Sequence, residues 1–142
     1  MIRPRVLAVL LLVAACGVSD PETLTRVPLG TWGGANAGLL VSESQAHAHI
    51  GCTLGEVPGS IPLDGDGRFD VSGQYNIDAF PVDRGIRHPA RFSGHTDGHT
   101  LTLLVRLTDT GQTFGPVGLT LGQQPSMQNC PICQLPGDRL QP

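Results

Sequence analysis

The chain contains no lysine and few charged residues of any kind. Charged side chains make up 15% of its 142 residues and aromatic side chains 4%. After the first fifteen residues, seven arginines stand against twelve acidic residues, so this part carries a net charge of −5 with neutral histidines. Proteins that bind nucleic acid neutralise phosphates with clustered Lys and Arg. The composition therefore excludes nucleic acid as a partner.

The chain also lacks an apolar run long enough to span a bilayer. The run from Val6 to Ala15 has ten residues, about half of what a membrane-spanning helix needs. It follows Arg3 and Arg5 and ends in Val13-Ala14-Ala15-Cys16. That order is typical of a bacterial lipobox, in which the cysteine is lipid-modified and becomes the first residue of the mature protein. Residues 1–15 are therefore predicted to be a lipoprotein signal peptide.

Lipidation of Cys16 predicts the membrane as a partner, reached through acyl chains such as palmitate. The protein is then expected in the bacterial cell envelope, and Gly17 in place of Asp favours the outer membrane, facing the periplasm. The alternative is an ordinary secretory signal cut near Ala15, which would leave Cys16 as a free thiol.

No helical period is found in the remaining sequence. Nineteen glycines and twelve prolines disfavour long helices. Instead of helices, the sequence has short β-prone runs in which polar and apolar residues alternate. Six runs are predicted as strands: Trp32 to Ser42, Gln45 to Leu54, Arg68 to Ile77, Ala90 to Thr96, Thr100 to Thr108 and Phe114 to Leu121. The fold class is therefore all-β.

Turn sequences between these runs favour sequential hairpins. Asp64-Gly65-Asp66-Gly67, Asp97-Gly98 and Asp109-Thr110-Gly111 supply the left-handed residues that tight turns require. Sequential hairpins without helices bury their apolar faces by closing into a barrel or by forming a sandwich. We predict a small, partly open, antiparallel up-and-down meander barrel of about six or more strands over residues 30–121, with a β-sandwich as the alternative. Residues 16–29 are predicted to be a lipidated flexible linker, and residues 122–142 an irregular tail tethered by a disulfide.

The opening Gly30-Thr31-Trp32 resembles the Gly-x-Trp start of lipocalin-like small barrels. Together with the lipobox, Cys52 and the segments 60–64 and 67–73, it resembles a group of small bacterial β-barrel lipoproteins. That group includes the amino-terminal barrel of copper-responsive envelope-stress lipoproteins. The resemblance implies copper or redox sensing, although Gly55 occupies the position of the second cysteine in that family's Cys-x-x-Cys.

With Cys16 acylated, three cysteines remain in an oxidising compartment, so one pair is expected. A bridge from Cys52 to Cys130 or Cys133 would tie the tail to the second predicted strand. The alternative is that Cys130-Pro131-Ile132-Cys133 forms a redox pair, but Pro136-Gly137 disfavours the helix that such pairs need.

His47 and His49 are two residues apart in a predicted strand, so they lie on one face, with about 6.5 to 7 Å between their positions along it. Both could bind one metal ion, with Cys52 as a third, soft ligand. No strict metal-ligand spacing is present, and paired polar residues on one strand face are the simpler interpretation. Trp32, His47 and His49 are the candidate binding residues.

No complete catalytic set is recognised, and no cofactor is expected. The Asp-Thr-Gly at residues 109–111 and the acidic segment 64–70 are interpreted as hairpin turns rather than as protease or calcium motifs. We therefore expect a non-enzymatic, lipid-anchored module that binds a small apolar ligand or an envelope protein. The alternative is a metal- or redox-responsive envelope sensor built on His47, His49, Cys52 and the tail cysteines.

Overall fold

The structure, a computed structural model, describes residues 23–128 and 130. The predicted signal peptide, Cys16 and Cys133 lie outside these residues. Between residue 23 and residue 128 the regular structure is entirely β. No helix in the described part is long and apolar enough to cross a membrane.

Eight strands form one closed antiparallel barrel. They are β1 (Gly30–Gly34), β2 (Ala37–Val41), β3 (Gln45–Ile50), β4 (Thr53–Pro58), β5 (Arg68–Asn76), β6 (His88–Thr96), β7 (Thr100–Leu107) and β8 (Thr113–Leu121). Each strand pairs with the next, and β1 pairs with β8 to close the sheet. The prediction of an all-β up-and-down meander barrel is confirmed. The sandwich alternative is wrong, and the barrel is closed rather than partly open.

Alternation of side chains fills the barrel interior. On β7, Leu101, Leu103, Val105 and Leu107 are buried while the residues between them lie on the other face. β5 buries Phe69 and Tyr75 in the same way, as its sequence predicts. The inward side chains of all eight strands form a single hydrophobic cluster. Because apolar side chains pack here from every strand, closing the sheet buries all the apolar faces at once.

The two additional strands come from two turns inside runs that were predicted to be continuous. Ala35 and Asn36 separate β1 from β2, and Asn36 has a φ of 54°. Asparagine tolerates this left-handed conformation better than most residues. Gly51 and Cys52 separate β3 from β4, with Gly51 at a φ of 59°. Cys52 therefore lies in a turn rather than in a strand.

The barrel has two ends that are distinguished by their connections. The entry end carries the start of β1 and the loops β2–β3, β4–β5 and β6–β7, and the far end carries the loops β1–β2, β3–β4, β5–β6 and β7–β8. At the entry end, Val27 N donates to Ile61 O and Leu63 N donates to Thr25 O. Val27 and Ile61 are both buried. The folded unit thus includes residues that were assigned to the linker.

The tail that follows β8 returns along the outside of the barrel. Ser126 forms a parallel bridge with Ala35, and Cys130 is bonded to Cys52, 78 residues away in sequence. The described part of the tail is therefore pinned to the barrel through a disulfide. Of the two predicted pairings, the structure has Cys52 with Cys130.

Candidate functional site

The barrel interior is filled by large side chains. Trp32, Tyr75 and Phe92 are all buried, with relative exposures of 0%, 0% and 1%. The Trp32 indole Nε1 donates a hydrogen bond to Pro28 O at 3.0 Å, which satisfies its one polar atom. The candidate binding residue Trp32 is thus part of the core, and its indole presents no surface to solvent. Residues that can contact a partner directly lie on the outside of the barrel.

His47 and His49 lie on the outer face of β3 because Ala46 and Ala48 point into the core. The predicted shared face is confirmed. The two Nε2 atoms are 2.7 Å apart, whereas the ring centroids are 4.5 Å apart. The rings therefore turn their Nε2 edges toward each other. We call this arrangement the imidazole pair.

Glu56 completes the imidazole pair from the neighbouring strand. It is the residue of β4 directly opposite His47, and its carboxylate contacts His47 Nδ1. An ionised carboxylate only accepts hydrogen bonds, so His47 Nδ1 donates to Glu56. In the neutral ring this leaves the lone pair on His47 Nε2, which accepts a hydrogen bond from His49 Nε2.

The pKa of His49 is lowered from its ordinary value of 6.5, mainly by burial and further by the neighbouring His47 ring, with Glu56 acting in the opposite direction. His49 is therefore neutral at pH 7. The His47 side chain keeps 30% of its surface exposed, so solvent and solutes reach the pair. No group of three or more His, Cys, Asp or Glu side chains in residues 23–128 and 130 is arranged to hold a metal ion.

The predicted third ligand, Cys52, does not join the pair as a thiolate because it is bonded to Cys130. Glu56 was missed by sequence analysis. The sequence signal for Glu56 is the turn at Gly51-Cys52. A two-residue turn there joins β3 and β4 into a hairpin in which position 56 lies opposite position 47. The continuous strand predicted from Gln45 to Leu54 concealed this relationship.

A second exposed feature is the β5–β6 loop at the far end of the barrel. Its side chains Phe80, Val82 and Ile86 are exposed by 42%, 69% and 44%. They are three of the six large hydrophobic side chains that are exposed in the described part of the chain. We call this surface the apolar loop. Contiguous exposed apolar surface is typical of interaction sites, and these three side chains share one loop.

Hydrogen bonds to Asn76 hold the apolar loop in place. The Asn76 side chain, 1% exposed, donates to Asp83 Oδ1 at 2.8 Å and accepts from Asp78 N at 2.9 Å. Asp83 also accepts from Gly85 N at 2.7 Å. These bonds from Gly85 and Asn76 lower the pKa of Asp83. A buried amide therefore fixes the loop that presents the apolar side chains to solvent.

The apolar loop was also missed by sequence analysis. The available signal was three large apolar residues, Phe80, Val82 and Ile86, in a segment broken by Pro81, Asp83 and Gly85. Because this segment forms no strand, these side chains cannot be buried on the inner face of the barrel. Their exposure follows from the length of the loop, which places them beyond the end of the barrel core.

An open cleft of about 550 Å³ lies on the barrel wall beside Glu56. β4 and β5 pair over only three positions, from Leu54–Asn76 to Glu56–Gln74, and then diverge. The cleft is lined by Val57, Pro58 and Gly73 among its apolar groups. It offers a small ligand a shallow surface rather than an enclosed chamber.

No protein-family model matches the chain. Neither a curated protein nor a solved structure matches the chain. The described part of the chain forms a small, closed, antiparallel, eight-stranded β-barrel.

Proposed function

We propose that this protein is a lipid-anchored protein of the bacterial cell envelope that binds an envelope protein through the apolar loop. The observation that carries the proposal is the exposure of Phe80, Val82 and Ile86 on a loop fixed by a buried asparagine. The proposed anchor is Cys16, at the end of the lipobox. The module acts by binding and performs no reaction.

The filled interior supports binding at the surface. A lipocalin-type module would hold a small apolar ligand among inward side chains. Here those positions carry Trp32, Tyr75 and Phe92, which pack in one cluster with the aliphatic residues. A small apolar ligand is therefore the less favoured occupant, and its place would be the outer cleft beside Glu56.

The position of the loop favours a protein over the anchoring membrane. The chain reaches β1 at the entry end, where Val27 packs against the β4–β5 loop. The apolar loop lies at the far end, and the nine-residue strand β5 that precedes it spans about 30 Å. The loop therefore lies at the opposite end of the barrel from Val27 and the start of β1.

A loop that is already ordered before binding favours affinity for a partner. Binding costs the entropy of fixing loops and side chains, and a loop that is already fixed loses less on association. Asn76 and Asp83 supply that order through their 2.8 Å hydrogen bond. The three apolar side chains then contribute burial at about 25 cal/mol per Å² of apolar surface removed from water.

The experiment is site-specific photo-crosslinking in living cells, with a photoreactive amino acid at Val82. The matched control places the same amino acid at Thr110, an exposed residue of the β7–β8 turn at the same end of the barrel. We expect one discrete protein adduct from position 82 that is absent from position 110. The double variant Phe80→Ser, Ile86→Ser should lose the adduct while its thermal unfolding stays cooperative. Equal adducts at both positions, or adducts to lipid alone, would reject the partner surface.

The anchor is tested separately by labelling with radioactive palmitate. We expect label on the wild type and none on Cys16→Ala. An unlabelled wild-type protein would remove the lipid anchor from the proposal and leave the crosslinking result to stand by itself.

The second candidate function, a metal- or redox-responsive sensor, retains its histidines, but two of its three cysteines are bonded to each other. The Cys52–Cys130 bond occupies two of the cysteines on which it depended. The favourable observation that remains is the convergence of His47 and His49.

A further inference from the structure

We propose that His47 Nε2 and His49 Nε2 form a binding site for a divalent transition-metal ion with square-planar or tetragonal preference, Cu²⁺ or Ni²⁺, and that Glu56 positions His47 for it. This site is independent of the apolar loop and of the partner proposed above. It uses two protein ligands on the outer face of β3, with solvent in the remaining positions.

The spacing of the two nitrogens is already that of neighbouring ligands. Bonds from imidazole nitrogen to such metals are about 2.0 to 2.1 Å long. Two nitrogens 2.7 Å apart then subtend roughly 80 to 85° at a shared ion, close to the right angle of a square-planar or tetragonal site. Tetrahedral coordination would require the nitrogens to separate by about a further 0.6 Å. The arrangement therefore favours the tetragonal ions.

The orientation of the rings is also suitable. The nitrogens are closer together than the ring centroids, which are 4.5 Å apart with an angle of 68° between the ring planes. Both Nε2 atoms thus point into the space between the rings, where an ion would replace the hydrogen bond that they share. His49 would bind as the tautomer protonated at Nδ1, which leaves its Nε2 lone pair free for the metal.

Glu56 orients the His47 ring for binding the metal ion. Metal-binding histidines typically donate their second nitrogen to a carboxylate or carbonyl group, which fixes the tautomer and orients the ring. The Glu56 carboxylate contacts His47 Nδ1 in this manner. The hairpin places the two residues directly opposite each other, so the orientation is built into the strand register.

The chain supplies a matched control. His88 Nδ1 lies 2.7 Å from Asp109 Oδ2, which is also a histidine and carboxylate pair on neighbouring barrel elements. A single imidazole with a carboxylate should bind these ions weakly. The comparison therefore separates a two-imidazole site from the general affinity of histidine for metals.

The test is titration of the full chain, without a histidine tag, with CuCl₂ and with NiCl₂, followed by calorimetry and by electron paramagnetic resonance of the Cu²⁺ form. We expect one ion per chain and a tetragonal Cu²⁺ spectrum with coupling to two nitrogens. His47→Ala and His49→Ala should each weaken binding at least about tenfold, because each removes a ligand, whereas His88→Ala should leave it unchanged. Thermal unfolding of every variant verifies that the barrel is intact.

Glu56→Gln distinguishes positioning from ligation. We expect it to weaken binding by about ten- to a hundredfold, the usual cost of losing an outer-sphere partner, with the two-nitrogen spectrum unchanged. The site is overturned if His47→Ala binds as the wild type does, if His88→Ala weakens binding equally, or if the spectrum lacks nitrogen coupling. Unchanged affinity in Glu56→Gln would overturn the positioning role alone.

Discussion

Pro125 lies against Gly38, on the outer face of β2. A Cβ added at Gly38 would come within 2.4 Å of Pro125 Cγ, so the proline ring occupies the space of the missing side chain. Gly33, the partner of Gly38 on β1, is covered in the same way by the backbone of Gln123 and Gln124. Two adjacent glycines thus form the flat surface on which the tail rests.

Gly38→Ala is therefore expected to destabilise the protein by about 1 to 3 kcal/mol, the usual cost of overpacking. The measurement is urea unfolding followed by the fluorescence of Trp32, the one tryptophan in the chain. Gly118→Ala is the matched control, because a Cβ at this strand glycine meets nothing within 4 Å. It should remain within about 0.5 kcal/mol of the wild type. If both variants unfold at the same urea concentration, Pro125 does not pack tightly on Gly38.

The strands with clear alternation and the turns with Asp-Gly or Thr-Gly were predictable from the sequence. Gly67, Gly98 and Gly111 have φ values of 74°, 95° and 78°, as their turns require. The turns at Asn36 and Gly51 were hidden because neither has Asp-Gly or a polar cluster around it. Local sequence also could not decide between Cys130 and Cys133, which are three residues apart. That choice depends on the path of the tail along the barrel, where Ser126 bridges Ala35.

The candidate sites were likewise predictable from the sequence only in part. The shared face of His47 and His49 follows from the period of two in a strand, and the structure confirms it. Glu56 belongs to the pair only through the register of β3 with β4, which is a tertiary property. The apolar loop could not be identified from the sequence as an exposed surface, because the exposure of Val82 depends on where the barrel core ends.

The disulfide predicts a specific pattern of thiol reactivity. Alkylation without reduction, followed by trypsin digestion, should yield a peptide linked through Cys52. Fragmentation between Cys130 and Cys133 should place the link on Cys130 and the alkyl group on Cys133. Because the bond closes a separation of 78 residues, Cys52→Ala should cost about 2 to 5 kcal/mol, whereas Cys133→Ala should cost nothing measurable. A link through Cys133 would contradict the pairing.

Asn76→Ala should loosen the apolar loop. The change removes a buried amide that bonds Asp83 and the backbone of Asp78, and such losses cost about 1 to 3 kcal/mol. Arg84 and Arg87 lie in the same loop, so trypsin cleavage there reports its opening. We expect faster cleavage in Asn76→Ala and an unchanged rate in the control Gln74→Ala, an exposed amide on the same strand. Equal rates would mean that other contacts hold the loop.

Tyr75 makes the stability of the barrel sensitive to alkaline pH. Its side chain is fully buried, and its hydroxyl lies 2.6 Å from Thr53 Oγ1. Burial raises the pKa of Tyr75 from 10.0 to about 12, with the Thr53 hydrogen bond acting in the opposite direction. Between pH 10 and pH 12 the unfolded chain loses this proton while the folded chain keeps it. Stability should therefore fall through this range by about 2 to 3 kcal/mol.

The chain contains one tyrosine, so absorbance at 295 nm reports this group alone. Rapid pH jumps, which limit damage to the disulfide, should give a midpoint near 12 in the native protein, against 10.0 for an unperturbed tyrosine, the midpoint expected in concentrated urea. Tyr75→Phe should remove the alkaline loss of stability at little cost near pH 7, because Thr53 Oγ1 retains its hydrogen bond to Ile50 O. A native midpoint near 10 would mean that water reaches the hydroxyl, and the packed interior that directs binding to the outer surface would have to be revised.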